Sequence, residues 1–404
     1  MLKSLDKWFP DYVRSILRRS GRIPGPRHLL FCIADHFEPY RRVVCSDGQV
    51  RDASAKEAGG LVDAWADRYP ASVAEFRDAD GRAPCHTFFY PQEEYDPACL
   101  DRLARLCERG YGEVEVHLHH RNDTAAGLRE KLVLFRDTLR TAHGLLGTWG
   151  GRRVGRVPGS IAYGFVHGNW ALCNSRPDGD WCGVNEELGI LSDTGCYADL
   201  TFPSAPSPTQ PRMVNSIYRA VDTPGRPRGC DRGERVEVRG MLKECGLLTV
   251  DCGQRSTGRN TEHQTLNTSP LLLITGPLGL NWRNRKWGIL PRMENSEVTA
   301  TSRPTIVRAD LWVRQDIHVA GRPEWVFVKV HTHGCVEANR EVLLGEDMRR
   351  LRQHLQSSYN DGKNWQLHYV SAREMYNVVR AAEDGLMGNP GEYRDYEVAP
   401  PPRC

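Results

Sequence analysis

What most constrains this 404-residue chain is a recurring alternation of short apolar runs with amphipathic helical patterns. HLLFCIAD (His28 to Asp35), HTFFYP (His86 to Pro91), VEVHLHH (Val114 to His120), IAYGFVHG (Ile161 to Gly168), LGILSDTG (Leu188 to Gly195) and EWVFVKVHTHG (Glu324 to Gly334) read as buried strands. Their length, their β-branched and aromatic content and the turn residues that flank them all favour that reading. Between them, Ala55 to Tyr69, Pro97 to Arg109 and Thr124 to His143 carry helical spacing. Thr124 is placed to cap the last of these, with Leu128, Leu132, Leu134 and Leu139 as its stripe. Strands alternating with helices imply a parallel sheet, and in closed parallel barrels the chemistry gathers at the carboxyl ends of the strands. No repeat of fixed period is present, which excludes a solenoid or propeller.

The length suits one elaborated α/β barrel over 28–385, preceded by a helical extension at 1–27 and followed by a tail at 386–404. Two stretches break the alternation, the Pro- and Arg-rich 203–240 and the turn-rich 253–303, and both read as inserted loops. The net charge of +3, from 54 basic and 51 acidic residues, gives no field that selects nucleic acid. Local clusters at Arg18, Arg19, Arg22 and Arg27, and at Arg226, Arg228, Arg232 and Arg235, read as solvated loop charge rather than phosphate sites. No run has signal-peptide length or approaches the roughly 20 apolar residues of a membrane span, so a cytoplasmic protein is expected. Leu2, Leu5, Trp8, Phe9, Val13, Ile16 and Leu17 recur at helical spacing beside basic residues. That face is expected to pack on the barrel, with peripheral contact at the inner membrane surface as the alternative. Thirteen cysteines, an odd number with no pair at two-residue separation, argue against a disulfide framework and a zinc ribbon.

The histidines carry the chemistry. In GEVEVHLHHRNDT, Glu113, Glu115, His117 and His119 share one side of a strand, and Val114, Val116 and Leu118 share the other. With the apolar side against helices, His117 and His119 face the barrel axis where the strand ends, and His120 follows at once. Any two of the three can converge on one divalent ion, zinc being the best fit to imidazole donors. EWVFVKVHTHG repeats the pattern, with Phe327, Lys329, His331 and His333 on one side. His331 or His333 is then a further ligand or a general acid, since imidazole titrates near neutrality. The first strand ends in ADHFEPY, which offers Asp35, His36 and Glu38 as a carboxylate ligand, an imidazole and a base for the attacking water. His167 and Trp170 in FVHGNWAL, and Asp193 in DTG, are candidates to line the substrate pocket.

In motif order the chain resembles the polysaccharide deacetylase superfamily, the NodB-like carbohydrate esterases. ADHFEP stands where that family has its paired-aspartate motif, and HTFFYP looks like its second-strand signature. EVEVHLHH resembles the segment that opens the histidine motif, and VKVHTHG resembles the closing motif. The resemblance implies a distorted barrel of about seven strands and helices, a metal held by an aspartate and two histidines, a second aspartate as base and a late histidine as acid. His117 matches the first metal histidine, Asp35 one first-motif aspartate, and His331 or His333 the late histidine. The sequence departs from the pattern twice. Arg121 occupies the usual place of the second metal histidine, leaving His119 or His120 to substitute. His36 follows Asp35 where a second aspartate is usual, so Asp35 and Glu38 compete as base and His36 is an alternative ligand.

FPSAPSPTQPRMVNSIYRA and HYVSAREMYN resemble deacetylase-like proteins associated with bacterial surface polysaccharide genes, which implies an acetylated glycan, or a lipid-linked or nucleotide-linked sugar, as substrate. The expected reaction is removal of an acetyl group from an N- or O-acetylated sugar. The rivals are another metal-dependent barrel hydrolase, an amidohydrolase or a glycoside hydrolase, and a glycan-binding barrel without turnover.

Overall fold

A computed structural model describes residues 4–44, 49–153, 155–240 and 270–402. Residues 253–269 of the second expected insertion lie outside the described residues. The strands that matter here are β1 (Arg27–His36), β2 (His86–Pro91), β3 (Gly112–Leu118), β4 (Ile161–His167), β5 (Cys196–Asp199), β6 (Ile217–Ala220), β7 (Leu271–Ile274), β8 (Trp325–Thr332) and β9 (Trp365–Tyr369). They lie in the order β6, β7, β5, β4, β3, β2, β1, β8, and β9 shares one edge of β1 with β2. Only β6 runs antiparallel to its neighbour within this set. The fold is therefore α/β around a large, mostly parallel sheet. Among the described residues no ladder joins β7 to β8. Instead Lys329 on β8 donates through Nζ to the carbonyls of Leu200 and Phe202, each at 2.6 Å.

Side-chain alternation divides the sheet into two faces. On one, Phe31, Ile33, Val114, Val116, Leu118, Phe165, Val326, Val328 and Val330 form a single core with residues of the helices laid over them. These are α2 (Ala55–Val73), α3 (Pro97–Glu108) and α4 (Ala125–His143), whose Trp65, Leu103 and Leu132 are buried in it. Thr124 accepts from Gly127 N on α4 as expected, and Ser54 and Glu57 form a capping box on α2.

On the other face Leu30, Ala34, Phe89, Val166 and Phe327 pack with Met375, Tyr376 and Val379 of α6 (Ala372–Glu383). Every residue of α6 is buried, so its charges need partners. Arg373 meets Glu113 at 2.7 Å and Arg380 meets Glu397 at 2.6 Å. Ala372 N donates to Thr87 Oγ1 near the start of β2, so α6 fills the amino-terminal end of this face. The carboxyl end is left to polar side chains, and along β3 the inward series runs Glu113, Glu115, His117.

Several expectations are corrected. LGILSDTG is not a strand: Glu187–Asp193 is a helix, α5, and β5 begins only at Cys196. A run this short fits either period, and Leu188 and Leu191 at helical spacing are both buried, so packing decided for helix. The two insertions are not only loops. Ile217–Ala220 and Leu271–Ile274 are strands of the central sheet, where LLLI, without alternation, pairs with β5 on one side and β6 on the other. Residues 386–402 are tied down, with Val398 paired to Trp149. In α1 (Leu5–Leu17), Trp8 and Tyr12 pack against Ala205, Val214 and Leu278, while Phe9, Val13, Ile16 and Leu17 remain exposed. Among the described residues no helix is long and apolar enough to cross a membrane.

Candidate metal centre

His36, Glu38 and His117 meet at the carboxyl ends of β1 and β3, with one donor atom from each within 4.8 Å of the others. His36 is the last residue of β1 and faces the same way as Leu30 and Ala34. The ladder between β3 and β4 sets His117 beside Val166. There His117 Nδ1 lies 3.0 Å from the Val166 carbonyl, and because a carbonyl only accepts, Nδ1 carries the proton. Its Nε2 lone pair therefore points at Glu38 Oε1, 3.1 Å away.

Two acceptors facing each other at that distance call for a cation between them. A proton is a poor choice, because burial, only partly opposed by Glu38, holds the His117 imidazole below its ordinary pKa. Burial and the neighbouring His333 and His117 push His36 well below the usual value too, and its Nδ1 has no partner. For Glu38, burial favours the acid, yet the facing rings of His117, His333 and His119 hold it down at about 2. Two neutral imidazoles and an ionised carboxylate, buried and short of a positive charge, fit a divalent ion of zinc type. The His117 contact with the Val166 carbonyl is the outer-shell bond that such ligands usually have.

Around these three stand more rings. His119 follows the end of β3 with Nε2 3.4 Å from Glu38 and Nδ1 against Glu93. Burial lowers its pKa, but Glu93 and Glu38 outweigh this and raise it. Its ring lies over Gly168, where an added Cβ would collide with it. His333 stacks on His36 at 4.8 Å, and Trp170 stacks on the same ring at 5.7 Å. His331, buried with neither ring nitrogen partnered, meets Trp170 edge to face at 5.1 Å. The structure thus brings together His36, Glu38, His117, His119, His331, His333 and Trp170.

It does not bring in Asp35, His120, His167 or Asp193. Asp35 lies on the helix-facing side of β1, one residue out of phase with His36, where His86 Nε2 donates to it at 2.8 Å and Gly334 N at 2.6 Å. Trp65 donates to the Gly334 carbonyl at 3.1 Å, and any side chain at 334 would strike the Asp35 carboxylate. With both oxygens engaged, Asp35 ties β1 to β2 and to the segment after β8. Asp193 ends α5 and pairs with Arg129 at 3.0 Å, at the amino-terminal end of β5 and so opposite the site. His120 and His167 point to the helix-facing side. With Cys182 and Glu187 they form a second buried group of donors able to hold a metal ion.

Sequence reasoning missed Glu93 and Glu94, from the turn after β2. Burial, opposed by Tyr40 N and reinforced by Glu38 and Glu93, lifts Glu94 to about 7. The signal was present as QEEY directly after a strand end. A third acidic group, Asp78 and Asp80 with His368, is neutralised by Arg394 at 2.9 and 2.7 Å and reads as a structural ion network. Compared with protein-family models, with curated proteins and with solved structures, the chain finds no match.

Proposed function

We propose that the chain is a metal-dependent hydrolase of the polysaccharide deacetylase type, built as a distorted barrel, that removes an acetyl group from a sugar. The observation that carries this reading is the unprotonated His117 Nε2 facing the ionised Glu38 beside the unpartnered His36, at the carboxyl ends of parallel strands. A divalent ion bound there supplies Lewis-acid chemistry, polarising an acyl carbonyl and lowering the pKa of water. His36, Glu38 and His117 hold it. His119, between Glu38 and Glu93, fixes the orientation of both carboxylates. Glu93 or Glu94 accepts the proton of the attacking water, and His331 or His333 returns one to the leaving nitrogen or oxygen. Trp170 offers a flat face for a sugar ring.

Glu38→Gln is expected to lose metal and turnover together. Asp35→Asn should keep its metal and lose about 1–3 kcal/mol of stability, because it weakens the buried contacts to His86 and Gly334. Metal content, acetate release from acetylated oligosaccharides and thermal unfolding of both variants check this. Loss of metal only in Asp35→Asn would return Asp35 to the metal shell. A glycan-binding barrel without turnover is the second reading, and it draws on the sequestration of Asp35, which leaves the family's aspartate base position closed.

The reading extends to a sugar carried on lipid. The hairpin of Gly279–Lys286 and Leu290–Glu294 exposes Trp282, Trp287 and Ile289 among Arg283, Arg285, Lys286 and Arg292. It lies beside α1, where Leu280 N donates to Tyr12 Oη at 3.3 Å. Aromatic and basic side chains together suit an anionic membrane surface. Trp282→Ala combined with Trp287→Ala should lower binding to anionic vesicles about tenfold or more in a sedimentation assay. Wild-type protein that leaves such vesicles entirely in the supernatant would remove this extension.

A further inference from the structure

Behind the candidate catalytic end of the sheet, His120, His167, Cys182 and Glu187 converge from the end of β3, the end of β4, the following loop and α5. All four are buried, so no substrate reaches them. We propose that they hold a second divalent ion of zinc type with a structural role, fastening the segment 167–187 to the ends of β3 and β4.

The distances suit one ion. His120 Nε2 is 3.2 Å from Glu187 Oε1, His167 Nε2 is 3.8 Å from the same oxygen, and Cys182 Sγ is 3.4 Å from Glu187 Oε2. A tetrahedron with bonds of about 2.0–2.3 Å has edges of about 3.3–3.8 Å. Charge fits as well. A thiolate and a carboxylate cancel a divalent ion, so the filled site is neutral, as burial requires. Outer contacts are in place. Asp123 Oδ2, held by Lys131 at 2.8 Å, lies 3.3 Å from His120 Nδ1, the usual carboxylate behind a metal-bound imidazole. Val184 N points at Cys182 Sγ at 3.5 Å, and Cys173 N donates to Glu187 Oε2 at 2.7 Å.

A purely hydrogen-bonded network explains less. Glu187 can be satisfied by Cys173 N, His120 and the Cys182 thiol, but His167 Nε2 then stays buried without a partner. A metal at both Nε2 atoms accounts for the two histidines together. On binding, Cys182 releases its thiol proton to solvent and no electron is transferred. One contact changes. Asn169 N, now 3.1 Å from His167 Nδ1, must turn away once that nitrogen carries the ring proton.

The test uses Co2+ as probe on the full-length chain freed of metal by a chelator. The site at His36, Glu38 and His117 contains no sulfur, so a thiolate-to-cobalt charge-transfer band reports on the second site alone. The band is expected to saturate in wild type and in His117→Ala. Cys182→Ala should abolish it, with bound metal falling from about two to about one per chain and an unchanged circular dichroism spectrum. No band in wild type, or a band unchanged in Cys182→Ala, would overturn the proposal. X-ray absorption at the zinc edge of wild type needs no variant: a Zn–S shell at about 2.3 Å supports the site, and its absence in zinc-loaded protein overturns it. Loss of acetate release with the band intact would count against the proposed hydrolase and not against this ion.

Discussion

His117→Ala is expected to lower affinity for the proposed catalytic ion by more than about 100-fold and to abolish acetate release. The size follows from what the ring does. Loss of a contact behind a metal ligand typically costs about 10–100-fold in affinity, and here a ligand itself is removed. The Val166 carbonyl then loses the Nδ1 donor that sets the tautomer, and Glu38 keeps a buried charge without its facing partner. The hole lies at the carboxyl end of β3, above the cores that carry the fold, so the variant should remain folded. Elemental analysis against wild type, with the second site counted separately through its cobalt band, checks the result. Metal content and turnover equal to wild type would place the ion elsewhere.

The second large effect concerns the late histidines. His331 and His333 follow one another on the inward side of β8, one buried against Trp170 and the other stacked on His36. Replacing the one that protonates the leaving group should slow hydrolysis of an N-acetylated sugar about 10²–10⁴-fold. An aryl acetate, whose leaving group needs no proton, should be affected far less. His331→Ala and His333→Ala, each checked for metal, are to be compared on both substrates. Equal losses on amide and ester in both variants would rule out acid catalysis by this pair and assign it to binding or packing.

Much of this site was legible in the sequence because strand periodicity is a strong constraint. The alternation in EVEVHL and VFVKVH put His117 and His331 on the inner face, and the structure places them there, opposite Val116 and Val330. The same rule explains the main failure. Asp35 and His36 are adjacent, so only one can face inward. Reading the pair through a family motif favoured Asp35, whereas the phase of Leu30, Cys32 and Ala34 selects His36. His120 was grouped with His117 although two residues and the end of the strand separate them. The alternation runs on past Leu118, so His120 shares the helix-facing side with Leu118, and its ring turns to Glu187 on a helix that had been read as a strand. Cys182 carried no signal at all. None of its prospective partners is a cysteine, so a search for closely spaced cysteines finds nothing. The sheet strand Leu271–Ile274 was missed because it sits among turn signals and lacks alternation, being covered on both faces.

Anomalous scattering at the zinc edge from crystals of zinc-loaded protein tests the central claim most directly. The account predicts a peak about 2.0–2.2 Å from ligand atoms of His36, Glu38 and His117. It predicts another among His120, His167, Cys182 and Glu187. A zinc-loaded protein with no peak at the first position, or with its ion held by Asp35, would contradict the account.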